Sequence, residues 1–294
     1  MPDQQKISFL RRCFTRRRFL QASAAAALTG FYTWRIEPHW LEIVYRDLLI
    51  AHLPPTLVGK RLVQLSDIHI GPQVDDGYIA KTFEHVAALQ PDIVVHTGDL
   101  VSSWRDNVPI AQASRLLEKF PHGRLGTAAI LGNHDYGPAF TDANIALRVE
   151  AVLAEAGISV LRNTQVEIAG LQIVGLDDLW AGRFVPETAF KSVDLARPAL
   201  VLSHNPDTCD LSGWGGYRGC ILSGHTHGGQ CKPPFLPPPL LPVKNRRYTS
   251  GEFELADGRR LYISRGIGHL LQVRFNCRPE VTVFRLQTAE MGKV

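Results

Sequence analysis

Six apolar runs of strand length recur along this chain, and each ends in a polar, often glycine-containing turn: LVQLSDIH, DIVVHTGD, AAILGNHD, LQIVGLDD, ALVLSHN and CILSGHTH. Rich in β-branched residues and too short for helices, these runs predict buried strands. An extended segment, Leu41 to Ile50, precedes them and is separated by Pro54-Pro55 from the first strong strand, Arg61 to Ser66. Between the early runs, apolar residues recur at spacings of three and four over Tyr78 to Leu89, Val108 to Phe120 and Thr141 to Ala156, which predicts helices, the last capped by Gly157. Strands alternating with helices, with polar clusters just past the strand ends, predict an α/β architecture whose site gathers at the carboxyl edges of the strands. Pro233 to Pro242, with six prolines, cannot be a regular element. Beyond it, Glu252 to Leu255, Arg260 to Ser264 and Val281 to Leu286 read as strands that finish a second sheet.

The 294 residues, 45% hydrophobic and 20% charged, suffice for one substantial core plus an extension. A formal charge of +4 first reads as a basic protein. Residues 1–36, however, carry seven Lys and Arg against Asp3, so the rest of the chain is net −2. The body therefore lacks the basic footprint of a nucleic-acid-binding domain. Within the leader, Thr15-Arg16-Arg17-Arg18-Phe19-Leu20 followed by the mildly apolar Ala22 to Trp34 resembles a twin-arginine export signal. That predicts use of the twin-arginine machinery and a place in the periplasm or on the outer face of the cytoplasmic membrane. No convincing cleavage site ends the segment, and Phe19 to Ile36 approaches the ~20 residues that span a bilayer, so a tether is a second expectation. Cys13 lies in the leader. Cys209, Cys220, Cys231 and Cys277 lack C-x-x-C spacing, which excludes a zinc ribbon and leaves their pairing open.

The polar turns hold the candidate chemistry. Asp67 and His69 stand two apart beyond one strand, where a bend brings a carboxylate and an imidazole to one ion. Asp99, after Gly98, adds a carboxylate with two oxygens, as a bridge between two cations requires. Gly132-Asn133-His134-Asp135 offers an amide oxygen for a metal, an imidazole for the substrate and a carboxylate to orient it. His204, and the His225-x-His227 pair after Gly224, supply three more imidazoles. Each motif alone is commonly an ordinary turn; their order and number, each after an apolar strand, are not. The remaining histidines, His39, His52, His85, His96, His122 and His269, read as structural or surface residues.

With these blocks in this order, the chain from Leu41 to Leu286 resembles the calcineurin-like metallophosphoesterase superfamily. The resemblance implies a four-layer αββα sandwich of two mixed sheets flanked by helices, with a dimetal site at the sheet edge. It divides the chain into a signal or anchor, 1–36, and a catalytic domain, 41–294. It also implies that Asp67, His69 and His227 bind one ion, Asn133, His204 and His225 the other, and that Asp99 bridges them. The chemistry implied is in-line attack of an activated water on phosphorus, with His134 protonating the leaving oxygen and Asp135 fixing His134. A donor set of imidazole, carboxylate and amide without thiolate suits Mn, Fe, Zn or Co, and disfavours Ca.

Two departures narrow the resemblance. The Asp that many relatives carry three residues after the Gly-Asp carboxylate is absent from Gly98-Asp99-Leu100-Val101-Ser102-Ser103, and Asp135 stands where protein phosphatases have Glu. Ser66-Asp67-Ile68-His69-Ile70-Gly71, His227-Gly228-Gly229-Gln230 and Ser264-Arg265-Gly266-Ile267-Gly268 are similar to the exported YkuE/YaeI-type branch. That branch, and its cousins acting on UDP-diacylglucosamine, imply a phosphodiester or pyrophosphate bond in an envelope or lipid-linked substrate. The apolar, basic-flanked stretch 233–247 directly follows the last histidine pair, which predicts peripheral membrane contact beside the site, with Arg246 and Arg247 near anionic groups. Alternatives are a metal-dependent nuclease, disfavoured by the net −2 body, and a non-catalytic scaffold, disfavoured because all seven ligands are present.

Overall fold

The parallel strands β2 (Arg61–Leu65), β3 (Ile93–Thr97) and β4 (Gly126–Ile130) bury almost every residue, as expected of strands covered on both faces. They belong to a computed structural model that describes residues 15–102 and 108–289; Asp3, Cys13 and Ser103 of the sequence argument, and the leader's basic residues before Thr15, lie outside these. Helices α2 (Asp76–Ala88), α3 (Ile110–Leu117) and α4 (Ala143–Glu155) cover one face. Asp75 caps α2 by accepting from the Tyr78 amide at 2.8 Å, and Asp142 caps α4 through Asn144, also at 2.8 Å. The helix expected over Val108 to Phe120 is shorter, because Pro109 occupies its N-cap and the chain turns at Glu118.

Two six-stranded sheets form the sandwich. The first runs β1 (Glu42–Ile50), β12 (Glu280–Thr288), β2, β3, β4 and β5 (Ser159–Val160). The second runs β10 (Gly251–Glu254), β11 (Arg260–Ile263), β9 (Cys220–Ser223), β8 (Ala199–Leu202), β7 (Leu171–Gly175) and β6 (Thr164–Ile168). The two strands β5 and β6 are additions to the sequence reading. Val281 to Leu286, expected in the second sheet, instead lies inside the first as part of β12, parallel to β1 and antiparallel to β2. Its alternating Val281, Val283 and Phe284, Leu286 fill cores on opposite faces of that sheet, which fixes the placement by burial rather than by order along the chain.

Three apolar clusters correspond to the layers. One lies between α2–α4 and the first sheet, one between the sheets, and one on the outer face of the second sheet under Trp214 and Tyr217. The fourth layer is thin: the five-residue α5 (Pro186–Phe190), short 3-10 turns and loops. The four cysteines beyond the leader are free thiols.

The leader forms helix α1 (Arg16–Phe31), capped by Thr15 and with no buried residue. No helix among the described residues is long and apolar enough to cross a membrane. The helical turns that follow are docked: Arg274 N donates to Thr33 O at 2.9 Å, Gln272 Nε2 to Trp34 O at 3.0 Å, and the Cys277 amide to buried Glu37 at 2.5 Å. These bonds tie residues 33–37 to the 272–278 segment, and the first buried residues are Glu37 and Pro38.

Candidate metal centre

At the carboxyl ends of β2, β3, β4, β8 and β9 the chain turns sharply. Asp67, His69, Asp99, His225 and His227 all adopt left-handed φ between +51° and +70°. Asp and His tolerate this region better than most residues, but five such residues at one sheet edge indicate backbone held in place for its side chains. The turns are welded across strands: Asp67 N donates to Gly98 O at 3.0 Å, His69 N to Asp99 O at 3.1 Å, and Gly224 N to His204 O at 3.1 Å. At Gly98, φ is +94° and an added Cβ would lie 2.7 Å from His204 Nδ1, so only glycine lets the second and third turns close on the site.

These turns bring the seven candidate ligands together. Asp67, His69 and His227 form one group and Asp99, His204 and His225 another, each with ligand atoms within 4.8 Å of one another. Asp99 Oδ2 stands between them, 3.7 Å from His69 Nε2 and 3.1 Å from His204 Nε2. Asn133 completes the set: both atoms of its buried amide lack a hydrogen-bond partner. His204 Nε2, though close to Asp99, makes no hydrogen bond either. The Nε2 atoms of His69 and His227 face each other at 2.9 Å. Buried polar atoms are almost always paired in proteins, so converging unpaired nitrogens and an amide fit cations coordinated between them.

Backbone and side-chain partners set which imidazole nitrogens face inward. His204 Nδ1 bonds Thr97 O at 2.8 Å, His225 Nε2 bonds Pro242 O at 2.8 Å, and His69 Nδ1 meets Ser102 Oγ at 2.7 Å. Each leaves its other nitrogen for an ion, the outer support typical of metal-bound histidine. Burial holds the pKa of His69 and His227 well below the usual value and that of His225 down to about 3, so these rings are neutral. Burial raises Asp67 to about 6, and the neighbouring Asp99 adds to the rise. Burial opposes ionisation of Asp99 as well, but His204 and then His134 outweigh it and hold Asp99 well below the carboxylate range. His204 is the counterpart, lifted to about 10 against burial, chiefly by Asp99. The neutral rings of His69, His225 and His227 and the protonated His204 surround buried carboxylates, a pocket in which positive charge is stabilised.

His134 donates its backbone N–H to Asp99 Oδ1 at 2.8 Å and sets its half-buried ring between His69 and Phe140. Asp135 departs from expectation. Its carboxylate accepts from the amides of Val101 at 3.1 Å and Gly132 at 2.9 Å instead of orienting the His134 ring. It therefore clips the turns after β3 and β4 together, because the backbone donors of those turns would otherwise be buried unpaired.

Sequence reasoning missed Ser102, Arg274, Asp178 and Trp180. Arg274 is wholly buried and donates to the carbonyls of Arg265 at 2.9 Å, Gly268 at 2.7 Å and Cys277 at 3.0 Å, beneath His227. Asp178 is a buried carboxylate beside His204 and Asp99, raised to about 6 by burial. Only Asp178 carried a visible signal, since LQIVGLDD is one of the six strand-and-turn blocks.

Residues 60–229 match the family described as calcineurin-like phosphoesterase. Among curated proteins, phosphodiesterase YaeI of Escherichia coli (strain K12) is 35% identical, over 92% of this chain and 99% of that protein. The uncharacterized metallophosphoesterase YkuE of Bacillus subtilis (strain 168) is 30% identical over 93% and 98%. UDP-2,3-diacylglucosamine pyrophosphatase LpxG of Chlamydia trachomatis is 29% identical over 89% and 94%.

Proposed function

From the premise that this chain belongs to the calcineurin-like phosphoesterase family, as a metal-dependent hydrolase, we propose that it cleaves a phosphodiester or pyrophosphate bond in an envelope or lipid-linked substrate. The observation that carries the reading is the convergence of two ligand groups with Asp99 between them and the orphaned Asn133 amide alongside. Asp67, His69 and His227 would hold one ion, Asn133, His204 and His225 the other, and Asp99 would bridge. When bound, two such cations polarise phosphoryl oxygens and lower the pKa of a water for in-line attack. The chain's own part is to fix those ligands by strained turns and to present His134, whose ring is free of side-chain hydrogen bonds among the described residues, to the departing oxygen.

The names of YaeI and LpxG favour a diester or pyrophosphate over a monoester, and LpxG a lipid-linked substrate. The loop 233–247 supports membrane contact. It is tied to the site through His225 and Pro242, and it exposes Phe235, Leu236 and Leu240. Leu241, expected on the same surface, is buried, and Arg246 pins the loop by donating to Leu241 O and Pro238 O, both at 3.1 Å. Export by the twin-arginine route, and a place at the periplasmic side of the membrane, rest on Arg16 and Arg17 and on the exposed helix that they begin.

Chelator-stripped protein reloaded with Mn, Fe, Zn or Co should hydrolyse bis(p-nitrophenyl) phosphate faster than p-nitrophenyl phosphate. Asp99→Ala should lose activity by at least ~10³-fold together with bound metal, whereas His134→Ala should lose ~10²-fold or more while keeping two ions by elemental analysis. Full activity without metal, or in Asp99→Ala, would overturn the assignment.

A further inference from the structure

Six aromatic rings form an unbroken arc over the metal centre. His69 to His134 is 5.1 Å between centroids, His134 to Phe140 4.9 Å, Phe140 to Trp180 5.9 Å, Trp180 to His225 4.5 Å and His225 to His204 5.0 Å. Four of these rings already have a role as candidate ligands or as the candidate acid. Phe140 and Trp180 have none, and they occupy the outer part of the arc.

Neither is placed as a core residue would be. Trp180 leaves 42% of its surface exposed, on a turn fixed by the Ala181 amide donating to Asp178 Oδ1 at 2.8 Å and by Arg183 N donating to Asp178 O at 3.0 Å. Phe140 is half-buried and holds a left-handed φ of +61°, which is unfavourable for a bulky side chain and persists only where surrounding structure enforces it. The conformation is set by Phe140 N donating to Gly137 O at 3.0 Å and by Asp142 N returning to Tyr136 O at 3.0 Å. Both backbones are thus arranged to hold a ring over the site.

We propose that Trp180 and Phe140 form a stacking subsite for a planar ring carried on the leaving side of the scissile phosphate, as in a nucleotide. The inference rests on the phosphoesterase reading above and names the substrate class of that site. The leaving side follows from position: His134, which faces the departing oxygen, is the ring next to Phe140. A partly exposed indole binds planar rings through offset or edge-to-face stacking regardless of ring identity, and alanine replacement of such a residue removes roughly tenfold or more in affinity. A ring fixed there would place its phosphate toward His225 and the ligand groups, since the Trp180 and His225 rings meet at right angles with centroids 4.5 Å apart.

The test uses the metal-loaded full chain and reads binding by calorimetry, independently of turnover, with uridine 5′-monophosphate, phenyl phosphate and glycerol 3-phosphate. The native protein should prefer both ring-bearing ligands to glycerol 3-phosphate by about tenfold. Trp180→Ala should collapse that ratio toward one, Phe140→Leu should reduce it, and Trp180→Phe should restore most of it, which a merely structural role for Trp180 would not produce. Preference for uridine monophosphate over phenyl phosphate would assign the subsite to a nucleobase; equal binding of the two would assign it to any planar ring. A native protein without ring preference, or a ratio unchanged in Trp180→Ala, overturns the inference and leaves the phosphoesterase reading standing. Failure of all three phosphates to bind with two metals loaded overturns both.

Discussion

Ser66 Oγ donates to Asp67 Oδ2 at 2.5 Å, and Gly224 lies so close that any Cβ there would strike both atoms. The Asp67 carboxylate cannot swing away, because it also accepts the His225 amide at 2.9 Å. Gly224→Ala should therefore displace the first ligand group. Since small misplacements of reacting groups cost about 100-fold, kcat/KM should fall by about that factor, and metal content should drop from two ions toward one. Native activity with two ions in this variant would show that the turn has slack. The seven candidate ligands were legible from residue type and spacing because each sits within a local strand-to-turn pattern. Ser102, Arg274 and the true partners of Asp135 were not, because each acts on a residue far along the chain and leaves no local periodicity.

Among elements, the turn preceding β3 shows how the amino ends of the strands are fastened opposite the site. Asp92 accepts from Arg61 N at 2.9 Å and Arg124 Nη2 at 2.7 Å, with Lys60 Nζ at 3.6 Å. Burial pushes its pKa up, but the Arg61 amide, then Arg124 and Lys60, outweigh that and hold it below the usual value. A lowered folded value means the stabilisation is present above the unfolded pKa of about 4 and is lost as pH falls through the folded one. Asp92→Asn should cost about 1.5–3 kcal/mol at pH 7 and flatten the loss of stability below pH 4, read by urea unfolding across pH. Equal acid sensitivity in the two proteins would remove Asp92 from the account. The proline-rich loop belongs to the same scale. Replacing exposed Phe235, Leu236 and Leu240 with Ser, and sparing buried Leu241, should abolish co-sedimentation with anionic vesicles while hydrolysis of bis(p-nitrophenyl) phosphate persists. Unchanged vesicle binding would sink the membrane reading.

At the scale of the molecule, helix α1 projects from the body with every residue at least partly exposed, while the turns from Thr33 onward are bonded to 272–278. Arg16→Lys with Arg17→Lys should abolish export, seen as retention of folded, metal-loaded enzyme in the cytoplasmic fraction. Export of that variant at the native level would refute the twin-arginine route.

The sequence by itself determined the strand and helix types, the turns that end them and the ordered set of candidate ligands, because hydrophobic period, capping and metal-donor chemistry are local properties of a few residues. It misplaced what depends on pairing between distant segments. Adjacency in sequence put Val281 to Leu286 in the second sheet, whereas β12 enters the first because its two faces match the two cores there. Likewise the buried Leu241 and the arc completed by Phe140 and Trp180 exist only once the sheets have packed. Burial and hydrogen bonding between remote residues, which no local pattern encodes, decided those features.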